Sequence, residues 1–262
     1  IFKLSPRRKV KIIDSELLVA PNGIELDENG DVLIVNAKAE VYKWKTDEQR
    51  LHRVSNSVFS SFDDYAENGV IERPIILPIE NNMFWVAQDD FLVKFDAVTK
   101  DVTRVEYPKD DAEYRHFREF RALALDDNDN LWIGTYKNGV YVYNNDSNTF
   151  KHLTQKDGLP HPEILAIFKD RDGNMWVGTG KGVSVWREDE KRFDTFSSTE
   201  KNNSLLGNIV EDIYQSRNGN IWVATQKGLN LYQPDTQSFK RFSEQQGLPA
   251  PLIRAVSDGE NE

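Results

Sequence analysis

The chain has 262 residues, with 43 acidic against 33 basic side chains, a formal net charge of -10, and 39% hydrophobic and 11% aromatic residues. That length and apolar content can build a sizeable core, while the acidic balance argues against a nucleic-acid partner, whose binding needs clustered Lys and Arg. Zero cysteines exclude disulfides, thiolate metal sites and thiol nucleophiles. No apolar run approaches the roughly 18 residues of a spanning helix, so direct membrane insertion is not expected.

In chain order, the first recurring element is the apolar run Asp31-Val32-Leu33-Ile34-Val35-Asn36, followed by Met83-Phe84-Trp85-Val86-Ala87-Gln88. Three closer copies come next: Asn130-Leu131-Trp132-Ile133-Gly134-Thr135 with Gly139, Asn174-Met175-Trp176-Val177-Gly178-Thr179 with Gly182, and Asn220-Ile221-Trp222-Val223-Ala224-Thr225 with Gly228. The last three tryptophans are 44 and 46 residues apart. Around each copy lie an earlier alternating run, a Gly turn, a third run such as Val183-Ser184-Val185-Trp186 and a fourth such as Arg192-Phe193-Asp194-Thr195-Phe196.

Four short strands in about 45 residues, repeated, predict a β-propeller of four-stranded antiparallel blades. The spacing places five complete blades at about residues 20–54, 72–107, 119–153, 163–196 and 208–243. Partial strands are predicted at 1–5 and 252–257, which makes the five blades part of a larger, six- to eight-bladed ring. The repeated tryptophans are assigned to packing between blades, since a residue present at the same position of every blade serves the stack.

The motifs Asp170-Arg171-Asp172-Gly173-Asn174-Met175-Trp176-Val177-Gly178-Thr179 and Arg217-Asn218-Gly219-Asn220-Ile221-Trp222-Val223-Ala224-Thr225, with the linkers Asp157-Gly158-Leu159-Pro160, Asn203-Ser204-Leu205 and Gln246-Gly247-Leu248-Pro249, resemble the two-component regulator propeller repeat. The resemblance implies a periplasmic sensor region of a bacterial transmembrane regulator, working with other domains of the same receptor as a homodimer. It also implies an oligosaccharide or other small molecule as input. No kinase, receiver or nucleotide-cyclase motif is present, so the chain itself reads as non-catalytic. A protein-interaction scaffold is the alternative, and an enzyme of the streptogramin lyase type, with a His base and a divalent metal, is a third reading.

In a propeller, the turns from second to third strand and the linkers from fourth strand to the next blade share one face, where function concentrates. The linker holding Tyr114, Arg115, His116 and Arg118 mixes cations with an aromatic and breaks the repeat, which suits hydroxyl or carboxylate ligands. Tyr136, Lys137, His161, Lys181, Gln226, Lys227 and Arg254 are placed on the same face as ligand-binding candidates. No metal site and no cofactor are expected. His52, His116, His152 and His161 show no ligand spacing, and the Asp-rich turns at 126–130 and 170–174 lack the downstream Glu of a calcium loop.

Overall fold

The computed structural model describes residues 21–26, 30–36, 39–45, 47–48, 50–57, 74–88, 91–106 and 119–256. These form twenty strands and three short 3-10 turns. The strands make five four-stranded antiparallel sheets, each in simple sequence order. The first blade holds β1 (Pro21–Leu26), β2 (Val32–Asn36), β3 (Glu40–Lys45) and β4 (Arg50–Ser57). The second holds β5 (Ile75–Pro78), β6 (Met83–Gln88), β7 (Phe91–Asp96) and β8 (Val102–Arg104). The third holds β9 (Phe120–Leu125), β10 (Leu131–Thr135), β11 (Val140–Asn144) and β12 (Thr149–Leu153). The fourth holds β13 (Ile164–Lys169), β14 (Met175–Thr179), β15 (Gly182–Arg187) and β16 (Arg192–Phe196), and the fifth β17 (Val210–Gln215), β18 (Ile221–Thr225), β19 (Gly228–Gln233) and β20 (Ser238–Phe242). The predicted strand at 252–257 does not form over 252–256. There the Ile253 N–H goes to Thr225 O at 3.2 Å and the Val256 N–H to Asp212 Oδ2 at 2.8 Å, which leaves no ladder to build.

The chain divides into two compact units, Ile1–Tyr107 with Gly259–Glu262, and Pro108–Asp258. In the first, Leu33, Val35 and Val41 of one blade pack with Ile76, Phe84, Val86, Val93 and Phe95 of the next, with the Phe84 and Phe95 rings stacked at 6.3 Å. Full burial of each such side chain is worth about 1.5–3 kcal/mol. Neither blade reaches this alone, since a single sheet has apolar faces and only its neighbour covers them.

In the second unit the same logic runs through the tryptophans. Trp132 of β10 meets Trp186 and Phe193 of the fourth blade at 6.1 and 6.5 Å, both edge to face. Trp176 of β14 meets Tyr232 of the fifth blade at 5.0 Å. Each indole also reaches back into its own hairpin: Trp132 Nε1 donates to Asp126 Oδ2 at 3.0 Å and Trp176 Nε1 to Asp170 Oδ2 at 2.8 Å. The Asp-rich turns are therefore structural, because their first carboxylates are spent on backbone N–H groups, an Asn amide and an indole.

Close approach of successive blades needs a gap on the second strand. A Cβ on Gly134 would sit 2.6 Å from Ile164 Cγ2, and one on Gly178 would sit 2.7 Å from Val210 Cγ1. The first strands of successive blades thereby lie side by side, β13 between β9 and β17.

Candidate functional site

The end of the second unit where β9, β13 and β17 begin is built three times on one backbone plan. At the end of each second strand a buried Thr hydroxyl donates to a carbonyl across the turn: Thr135 to Gly139 at 2.9 Å, Thr179 to Gly182 at 2.9 Å and Thr225 to Gly228 at 2.8 Å. The next residue donates its N–H to the entry of the first strand: Tyr136 to Glu119 O, Gly180 to Glu163 O and Gln226 to Ile209 O, at 3.0–3.2 Å. These bonds fix each turn over the start of its own first strand, so a side chain mounted here is held by the sheet.

Each of the three first strands carries one extra residue against its partner. The register jumps from Phe120 to Ala122, from Ile164 to Ala166 and from Val210 to Asp212, which makes Arg121, Leu165 and Glu211 the bulged positions. A bulge breaks the two-residue alternation and re-aims a side chain. The bulged residues differ in chemistry although their backbone is shared. Arg121 lies over the Tyr136 ring at 4.9 Å, with Lys137 also at 4.9 Å, and Glu211 accepts from Gln226 Nε2 at 3.1 Å.

Of the sequence candidates, Tyr136, Lys137, Lys181, Gln226 and Lys227 sit on these turns, and His161 lies in the segment entering β13. Lys137, Lys181 and Lys227 are exposed and form no ion pair among the described residues. Arg254 is exposed on the segment that follows β20. Tyr114, Arg115, His116 and Arg118 lie outside the described residues.

Sequence reasoning did not single out Glu163, Glu211 or Asp212, and it placed Arg121 at the end of the linker that holds Tyr114 and Arg115 instead of on β9. A signal existed, because the inward residues Phe120 and Leu123, Ile164 and Ile167, and Val210 and Ile213 are three apart where strand alternation requires two, which marks the bulge. Asp212 stands where the sister strands have Ala122 and Ala166. Its carboxylate accepts the N–H of Val256 and of Ile213, each at 2.8 Å. Burial pushes its pKa up, and the two backbone donors oppose that rise without cancelling it.

The opposite end of the unit has a cleft of about 360 Å³ between the third and fourth blades, lined by Asp126, Asp127, Asp172, Trp132, Trp186 and Glu188 among others. Its acids are largely engaged: Asp127 with Lys169 at 2.8 Å, and Glu188 with the Trp186 indole at 2.5 Å and with Lys191. The contacts to Trp186 and Lys191 also hold the Glu188 carboxyl below its ordinary pKa. Among the described residues no group of three or more His, Asp or Glu gathers in a way that could hold a metal ion.

Segments 117–137, 158–181 and 204–227 match the two component regulator propeller family. No curated protein matches the chain. In structure it is similar to the extracellular domain of a hybrid two component system of B. thetaiotaomicron, with a TM-score of 0.71 and 20% identity over 93% of this chain and 31% of that one. A second such domain from B. thetaiotaomicron gives 0.66 and 20%, over 88% and 29%. A catalytically inactive virginiamycin B lyase from Staphylococcus aureus, solved with quinupristin, gives 0.65 and 12%, over 90% and 72%. The chain thus spans about a third of the sensor domains it resembles. Among the described residues no helix is long and apolar enough to cross a membrane. The five four-stranded antiparallel sheets have the fold of β-propeller blades, and segments of the third, fourth and fifth resemble the two component regulator propeller repeat.

Proposed function

We propose that this chain is a ligand-sensing propeller of an extracytoplasmic, periplasmic receptor region, and that the end bearing the second-to-third-strand turns of the third to fifth blades takes an oligosaccharide or a similar small molecule. The observation that carries this is the contrast between constant backbone and variable side chains at that end. Tyr136, Gly180 and Gln226 hold one position of one hydrogen-bonded plan, as do Arg121, Leu165 and Glu211. Packing residues repeat, whereas residues that differ at equivalent, half-exposed positions are where recognition can be written. Similarity to sensor extracellular domains supports the same reading, in which the chain works with other domains of one receptor as a homodimer. Occupancy switches such a receptor only through different affinities for its two arrangements.

The test is thermal unfolding of the chain against neutral and acidic oligosaccharides. Saturation at 100 times Kd stabilises by about 2.7 kcal/mol, a rise of roughly 5–10 °C for a domain of this size. Absence of any rise, together with capture of a protein partner on the same face, would move the assignment to an interaction scaffold. A lyase-type enzyme is a second reading, favoured by His161 and Glu163 sharing one end of the fourth blade and by the likeness to virginiamycin B lyase. Turnover of quinupristin by the chain decides it; the described residues do not gather a metal-ligand set.

A further inference from the structure

In the turn between β14 and β15, Gly180 stands where Tyr136 and Gln226 carry side chains. Gly180 does not have a positive φ, so its backbone does not require glycine. Its space does. A Cβ there would lie 2.8 Å from His161 Nδ1 and 2.9 Å from Glu163 Oε2. An imidazole and a carboxylate from the entering segment occupy the volume that a turn side chain takes in the flanking blades.

That entering segment is pinned on both sides. Gly139 of the third blade donates to Pro162 O at 2.8 Å, and Gly180 donates to Glu163 O at 3.2 Å. Two adjacent residues bonded to two different blades hold His161 and Glu163 in place before any ligand arrives, which lowers the ordering cost of binding. The Glu163 N–H donates to His161 Nδ1 at 3.3 Å. Nδ1 is then the acceptor, and the proton of the neutral ring resides on Nε2. Nε2 has no partner among the described residues, and the Glu163 carboxylate accepts no hydrogen bond there, its nearest contact being His161 Nδ1 at 3.8 Å. Both side chains keep 28–30% of their surface open to solvent.

We infer that the end of the fourth blade is a saccharide subsite in which His161 Nε2–H donates to one hydroxyl and the Glu163 carboxylate accepts from its neighbour, with Gly180 supplying the room. The inference rests on the sensing function proposed above and narrows it to vicinal hydroxyls. Such a pair of groups both donates and accepts, which matches an open donor beside an open acceptor. An anion meets a carboxylate here and is disfavoured. Lys181, exposed at the same turn, adds a second donor at the rim.

The experiment is a glycan array of neutral and anionic oligosaccharide fragments probed with the whole chain, followed by calorimetric titration of the fragment retained. Gly180→Ala fills the space without backbone strain, and Glu163→Gln keeps shape while removing the charged acceptor. Each is expected to weaken binding by at least tenfold with a Tm within a few degrees of the parent. If the chain binds a fragment and both variants bind it as tightly, the subsite is overturned while the sensing function stands. If only anionic fragments bind, and Lys181→Ala alone weakens them, the hydroxyl assignment is overturned. If nothing on the array binds, the sensing function and the subsite fall together.

Discussion

Trp176 donates its indole N–H to Asp170 Oδ2 at 2.8 Å while its ring meets Tyr232 of the following blade at 5.0 Å, so one side chain closes its own hairpin and seals the seam to the next. Asp170 is only 6% exposed and accepts from two backbone N–H groups, the Asn174 amide and the indole. Removing that acceptor leaves the buried indole N–H without a partner, at about 1–3 kcal/mol, and three part-buried donors that water can reach in part. Asp170→Ala is expected to destabilise the protein by about 3 kcal/mol in denaturant unfolding. The fifth blade supplies the control, because Ser216 stands at the equivalent place and spends its hydroxyl on Asn218 and Asn220 without reaching Trp222. Ser216→Ala should cost about 1 kcal/mol or less, and equal costs at the two sites would refute the account.

A second prediction concerns the seam between the fourth and fifth blades. Gly178→Ala places a methyl 2.7 Å from Val210 Cγ1 and 3.3 Å from Ala166 Cβ. Overpacking of this kind costs typically about 1–3 kcal/mol. Trimming the opposing side chain in Gly178→Ala with Val210→Ala is expected to recover part of the loss, so the two changes together destabilise by less than the sum of each alone. Strict additivity in the double-mutant cycle would show that the two residues do not meet.

These seams also show what the sequence could tell. The five four-stranded sheets, their strand order and the packing role of Trp132 and Trp176 were legible because periodicity is a local property, readable as alternation between Gly and Asn turns. The site was less so. Arg121 and Glu211 are functional candidates only because a bulge turns them, and Glu163 only because Gly180 leaves a space beside it. Both facts are relations between strands that no single stretch of sequence states. The placement of Lys137, Lys181 and Lys227 on these turns was readable from topology alone, since the turn that carries them is named by its place in the blade. Tyr114, Arg115, His116 and Arg118 lie outside the described residues.

Asp212 gives a pH prediction with a definite sign. Burial raises its pKa in the folded protein above the ordinary Asp value, the Val256 and Ile213 N–H groups notwithstanding. The folded state therefore binds more protons than the unfolded one across the window between the two pKa values, and stability falls as pH rises through it. The penalty is absent below the unfolded pKa and complete above the folded one. Asp212→Asn removes the charge but keeps an acceptor for only one of the two N–H groups, so the readout is the trend: any Tm advantage over the parent should shrink, or any deficit grow, as pH is lowered through the carboxylate range. An advantage that grows on acidification would reverse the assignment. Asp212→Ala instead loses the acceptor for Val256, and hydrogen exchange at 252–256 should quicken.

The linker between the fourth and fifth blades depends on one guanidinium. Arg241 of β20 donates from Nε to Ser204 O at 2.7 Å, and from Nη2 to Lys201 O at 2.6 Å, Leu205 O at 3.0 Å and Thr199 O at 3.2 Å. Four carbonyls of one connector thus converge on a single planar donor set, which a flexible ammonium cannot reproduce. The sister strands show why the residue is needed. The position is His152 in β12, stacked on Tyr141 at 4.2 Å, and Thr195 in β16, which donates to Gly158 O at 2.9 Å. Each of these three blades thereby ties its outer strand with a different side chain. Arg241→Ala is expected to lower stability by about 2 kcal/mol and to speed amide exchange at 199–205, because the freed carbonyls are exposed enough to turn to water and soften part of the loss. Arg241→Lys should recover less than half, since one ammonium cannot reach acceptors on both sides of the loop. Full recovery by Lys would mean that charge alone holds the connector, and unchanged exchange in both variants would mean that Leu205, buried beneath it, holds it without help.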